Sequence, residues 1–95
     1  MFEQNLFMVL YHEYLEWVRP HAGGVCIRFK FPNGYGADVA RHSFSYGSEQ
    51  GLWETAVMKD DHITYDTHIT SDVLGFQTEE DVLDTLEAIK NLEVD

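Results

Sequence analysis

The chain has 95 residues, of which 17 are acidic and 6 basic, for a formal net charge of −11 at pH 7. At 44% hydrophobic and 14% aromatic it is too apolar for a disordered chain, and its length suits one domain rather than two. Such a negative balance excludes direct binding to nucleic acid or an anionic membrane; the single Cys26 excludes an internal disulfide and fits a reducing compartment, and no basic segment or long apolar run predicts a signal peptide or a membrane span.

Residues 2–18 read as a helix. Phe7, Leu10, Tyr14 and Trp17 recur at spacings of three and four, and Phe2, Leu6, Leu15 and Val18 widen the stripe. Pro20 stops this helix and Gly23-Gly24 loosens the joint after it, so residues 1–22 form an N-terminal helical extension. A stripe this wide suits the sheet or a second copy of itself, which leaves a homodimer through this helix open. Residues 25–31 alternate: Val25, Ile27, Phe29 and Phe31 take one side, and Cys26, Arg28 and Lys30 the other. Pro32-Asn33-Gly34 signals a hairpin turn, and Tyr35 to Arg41 the return strand. Ser43 to Gly51 is a turn-rich loop. Leu52 to Met58 and Ile63 to Thr67 are the third and fourth strands, joined tightly at Lys59-Asp60-Asp61. Ile69 to Gln77 is expected as an ordered loop, with Val73, Leu74 and Phe76 tucking inward. Thr78 caps a second helix over 78–93, whose first turn holds Glu79, Glu80 and Asp81 where the dipole favours acids. Val82, Leu86, Ile89 and Leu92 form its core face. The expected fold is α+β: a four-stranded antiparallel sheet over 25–67, with an N-terminal and a C-terminal helix packed on one face.

Charge divides unevenly. Residues 1–47 hold four acids and four bases, whereas residues 48–95 hold 13 acids against Lys59 and Lys90. Asymmetry of this kind points to an interaction surface, although an acidic solvated face also keeps a domain soluble. Glu79, Glu80, Asp84 and Glu87 lie on the second helix, with Asp60, Asp61 and Asp72 in neighbouring turns. Such carboxylates can imitate a phosphate backbone and dock into a basic groove built for DNA or RNA. Tyr46, in a glycine-flanked loop, is the candidate aromatic anchor.

Five histidines raise the question of a metal. At about 3.3 Å per residue, His62 and His68 would stand about 20 Å apart on a strand, too far to share an ion. Asp66 and His68, about 7 Å apart, could supply two ligands and would need a third from elsewhere. His12 and Glu16 sit one helical turn apart. No His-Glu-x-x-His or paired-cysteine motif is present, and no cofactor is expected beyond such a divalent ion. Cys26, on the side of Arg28 and Lys30 with His42 as partner, is the sole candidate nucleophile; without an oxyanion loop or an orienting acid, an enzyme is not expected.

Asn33-Gly34-Tyr35-Gly36-Ala37, Ser45-Tyr46-Gly47, Gly51-Leu52-Trp53-Glu54-Thr55-Ala56-Val57, Tyr65-Asp66-Thr67 and Ile69-Thr70-Ser71-Asp72-Val73-Leu74-Gly75 stand in order along the chain. Together they resemble a family of small uncharacterised bacteriophage and prophage proteins, over about half the chain. The segment before Gly24 looks like an addition, and His68 stands where the resemblance implies proline. The resemblance implies a phage origin and a cytoplasmic setting in a bacterial host, and it implies no activity. The expected function is an acidic, DNA-mimicking inhibitor of a host nucleic-acid-handling defence protein, such as an anti-CRISPR protein. The alternatives are a phage assembly module acting through self-association and a small metal-binding regulator.

Overall fold

The computed structural model describes residues 5–94. Asn5 caps a short helix, α1 (Leu6–Leu10), its side-chain oxygen accepting from the Met8 amide at 3.1 Å. A single 3-10 turn, His12–Tyr14, follows, and the chain then extends into β1 (Leu15–His21). The expected helix over 2–18 is therefore cut after Leu10; its first residues, 1–4, lie outside the described residues. Pairing decides the outcome. β1 runs antiparallel to β2 (Gly24–Lys30), with Val18 opposite Ile27 and Arg19 opposite Cys26. Backbone bonds to that neighbour outweigh the helical spacing of Tyr14 and Trp17. Pro20, which would break a helix, is tolerated on this outermost strand, where a missing amide costs no ladder bond. Gly23-Gly24 is a hairpin rather than a loose joint: Ala22 and Gly23 both take positive φ, 45° and 79°, as a two-residue turn requires.

β3 (Tyr35–Arg41) and β4 (Trp53–Lys59) follow in antiparallel register, with Ala37 opposite Phe29 and Val57. The Lys59–His62 hairpin turns at Asp60 and Asp61, both at positive φ. The expected fourth strand over 63–67 shrinks to β5, His62–Ile63. The last strand is β6 (Leu74–Gln77), in a segment expected as loop; it pairs with the Trp53 end of β4. The sheet thus has six strands, in the order β1-β2-β3-β4-β5 with β6 also on β4, and spans 15–77 rather than 25–67.

Both helices pack on one face. Val25, Ile27, Phe29, Ala37, Val39, Trp53 and Val57 meet Phe7, Met8 and Tyr11 from the N-terminal segment and Val82, Leu86 and Ile89 from α2 (Glu79–Lys90). The Phe7 ring stands edge-on to Trp53 at 5.0 Å. α2 starts where the Thr78 signal places it. Thr78 Oγ1 accepts from the Asp81 amide at 3.1 Å, and Asp81 Oδ2 accepts from the Thr78 amide at 3.0 Å. It ends at Lys90, short of residue 93, where Asn33 of the β2–β3 turn donates its side-chain amide to the carbonyls of Ile89, Lys90 and Leu92 at 2.9, 3.0 and 3.1 Å. A buried polar chain ties β4, β6 and α2 together. Thr55 Oγ1 donates to Gln77 Oε1 at 2.6 Å, and Gln77 Nε2 donates to Thr85 Oγ1 at 2.8 Å. No helix among the described residues is long and apolar enough to cross a membrane.

Candidate functional site

The acidic residues do not form one patch. Asp60 and Asp61 lie at the Lys59 end of β4, with Asp61 3.9 Å from Lys30 Nζ. Glu79 and Glu80 follow Gln77, which pairs with Trp53 at the opposite end of the same strand, about 20 Å away at the usual rise. α2 runs between these ends. Its turn of about 100° per residue puts Val82, Leu86 and Ile89 on the core side and Glu80, Asp84 and Glu87 on the opposite side, in a stripe about 10 Å long. Asp72 sits in the loop before β6 and accepts from the Val73 amide at 2.8 Å.

Two members of the expected set also hold the fold. Glu79 Oε1 accepts from the Leu6 amide at 2.8 Å, so it caps the start of α1. Glu87 accepts a short hydrogen bond from the Tyr11 hydroxyl and another from Asn91 at 3.2 Å. Burial, and then this bond, push the Tyr11 hydroxyl pKa up; the Tyr11 bond, and then Asn91, hold the Glu87 carboxyl down. The lowered carboxyl stabilises the fold above about pH 4.3 and loses that effect as acid protonates it; the raised hydroxyl stabilises it below about pH 10 and loses that effect in alkali. Tyr11→Phe is therefore expected to destabilise most near pH 7. Urea unfolding of both proteins at about pH 3, 7 and 11 checks this, and a gap independent of pH would refute the assignment.

Tyr46 is exposed, as expected, and belongs to a larger feature. Its amide donates to Glu54 Oε1 at 3.2 Å, and its carbonyl accepts from the Phe76 amide at 3.1 Å. Contact is close because Gly47 follows Tyr46 and Gly75 precedes Phe76. A Cβ on Gly75 would lie 2.6 Å from the Tyr46 Cβ, and one on Gly47, at φ 95°, would lie 2.9 Å from the Phe76 Cα. Phe76 does not tuck inward: it is 57% exposed, at a left-handed φ of 53°. That conformation costs a bulky residue about 1–2 kcal/mol. Phe44 is 80% exposed and Tyr46 61%, while Ser45 between them is buried and bonded through its hydroxyl to His42. Both rings flanking Ser45 are thus exposed, with the Phe44 ring edge-on to His42 at 6.2 Å. Tyr46 was legible in the sequence and Phe76 was not; the available signal was the pair of glycines beside aromatics, in Ser45-Tyr46-Gly47 and Leu74-Gly75-Phe76.

The remaining candidates separate. Asp66 and His68 are exposed in the connection after β5, where strand parity no longer applies because the strand stops at Ile63. Among the described residues, no group of three or more His, Cys, Asp or Glu is placed to hold a metal ion. His12 lies in the 3-10 turn and Glu16 in β1, so helical spacing does not join them. Cys26 is half-buried on the uncovered face of the sheet. Burial first, and Asp38 second, raise its thiol pKa against the opposing pull of Arg28, which is paired with Asp38 at 3.0 Å. Neighbouring cations such as Arg28 would by themselves lower a thiol, and here burial outweighs them. A cleft of about 690 Å³ is lined by Val25, Ile27, Trp53, Ser43, Ser48 and Glu49, among others.

No family model, curated protein or solved structure matches this chain.

Proposed function

We propose that this is a non-catalytic interaction protein that sets the acidic face of α2 against a basic surface of a nucleic-acid-handling partner. The observation that carries the reading is the stripe Glu80–Asp84–Glu87, held outward by a helix whose opposite side is fully buried. Among the described residues neither Glu80 nor Asp84 has an ion-pair partner. Glu87 pairs with Lys90 of the same helix at 3.4 Å, whereas Arg28 pairs with Asp38, Arg19 stacks on Trp17 at 4.1 Å, and Lys59 lies 5.2 Å from the Tyr35 ring. Glu80 and Asp84 stand about 6 Å apart along the helix, close to two steps of about 3.4 Å between phosphates of a nucleic-acid strand. The resemblance to phage proteins supplies the setting, a bacterial host cytoplasm. The partner of choice is then a defence nuclease, with an anti-CRISPR inhibitor as the concrete form.

The test uses immobilised duplex DNA loaded with host lysate. Added protein should elute a discrete protein at low salt, and Glu80→Gln with Asp84→Asn should require about tenfold more, through slower association. Elution of nothing, or equal potency of the two forms across a salt series, rejects the reading. Leu6, Val9 and Leu10 of α1, all about half exposed, support a second reading, a self-associating assembly module. A dimer by sedimentation, dissociated by Leu10→Glu, separates it from the first.

A further inference from the structure

We infer that Tyr46 and Phe76 form an arginine-receiving anchor, an inference that rests on the basic-partner reading and adds which cation the partner presents. Two exposed aromatics on segments joined by a backbone hydrogen bond are a poor outcome for folding alone, since their apolar area stays in water. Both segments hold these rings outward by specific means. Ser45 is bonded back to His42, Gly47 and Gly75 admit the close backbone approach, and Phe76 is kept in a conformation its side chain disfavours. Strain of this kind persists where the surroundings enforce it, and it concentrates at binding sites.

Charge around the row selects the occupant. Glu54, whose carboxylate accepts from the Tyr46 amide at 3.2 Å, is the acid placed beside the rings. Aromatic faces beside carboxylates match a guanidinium, which is planar, stacks on rings and pairs with carboxylates through several donors at once. An ammonium is more strongly hydrated and has no plane to stack, so lysine gains less here. A purely apolar partner would desolvate the Glu54 carboxylate with no cation to offset its charge.

Fluorescence anisotropy with fluorescein-labelled octa-arginine and octa-lysine tests this on the full chain. The wild type should bind the arginine peptide several-fold more tightly. Tyr46→Ala with Phe76→Asn should weaken that peptide about tenfold, to the level of lysine, and leave the lysine peptide little changed. Asparagine tolerates the left-handed backbone, and alanine keeps both backbone bonds of Tyr46, so the fold is preserved. Tyr46→Phe should retain binding. Equal affinity for the two peptides, or an unchanged arginine affinity in the double variant, overturns the anchor. Neutralising Glu80 and Asp84 should weaken both peptides alike; if that variant changes neither while the aromatic variant does, the acidic-stripe reading fails and the anchor stands. If neither peptide binds at low salt, both fall.

Discussion

Asn33→Asp is expected to destabilise the protein by about 3 kcal/mol at neutral pH, a large share of the 5–15 kcal/mol typical of a domain. The Asn33 amide serves three carbonyls at the C-terminal end of α2 from a turn 56 residues earlier in the chain. Those carbonyls lie at the negative end of the helix dipole, past the last full turn of helical bonding, where only the Leu92 and Asn91 amides reach back, to Ile89. A carboxylate keeps the bond that Asn33 Oδ1 accepts from the Tyr35 amide, at 3.0 Å, but removes every donor and adds charge of the repelled sign. The new carboxyl would have a folded pKa above its unfolded value of about 3.9. Its penalty is then absent below the unfolded pKa and complete above the folded one, so the variant should recover stability in mild acid. Urea unfolding at neutral pH and near pH 3.5 reads both effects. A loss below about 0.5 kcal/mol at neutral pH would show that the turn does not hold the helix.

Gln77→Leu should cost about 2–3 kcal/mol. Gln77 is the link between Thr55 on β4 and Thr85 on α2, and Thr55 is wholly inaccessible to solvent. Leucine leaves the Thr55 hydroxyl buried without an acceptor, and the penalty is that of a desolvated donor rather than of one lost bond. Thr85 keeps its own bond to the Asp81 carbonyl at 2.9 Å, so the damage is confined to one side. Thr55→Val in the Gln77→Leu background should therefore recover more than 1 kcal/mol, where additive substitutions would make matters worse. Additivity in the four-protein cycle would mean that the polar chain does not couple strand to helix.

These two residues mark how far the sequence could be read. Asn33 was legible as a turn residue beside Gly34, and its local role is there; its role at the far end of α2 was not, because no local pattern records which helix end will arrive beside a turn. Gln77 hid a strand. A polar residue among Leu74, Gly75 and Phe76 breaks the alternation that identifies strands, and only its partners Thr55 and Thr85 make its burial tolerable. The docking surface divides in the same way: Tyr46 and the acids of α2 were readable from exposure-prone residue types and helical spacing. Phe76 was not, since its outward position depends on a backbone angle enforced by the neighbouring loop.

By itself the amino-acid order determined what short-range physics controls: alternation in β2, β3 and β4, the turns at Asn33-Gly34 and Asp60-Asp61, the Thr78 cap and the amphipathic α2. Tertiary structure alone decided the state of residues 15–21, the existence of β6, the separation of the acids between the ends of the sheet, and the raised Cys26 thiol. Each of those depends on free energy from groups distant in sequence, namely the open edge of β2, the buried threonines, the length of β4 and the carboxylate of Asp38. Helical spacing at Tyr14 and Trp17 is a weak local preference, and a strand of backbone hydrogen bonds to β2 overrides it.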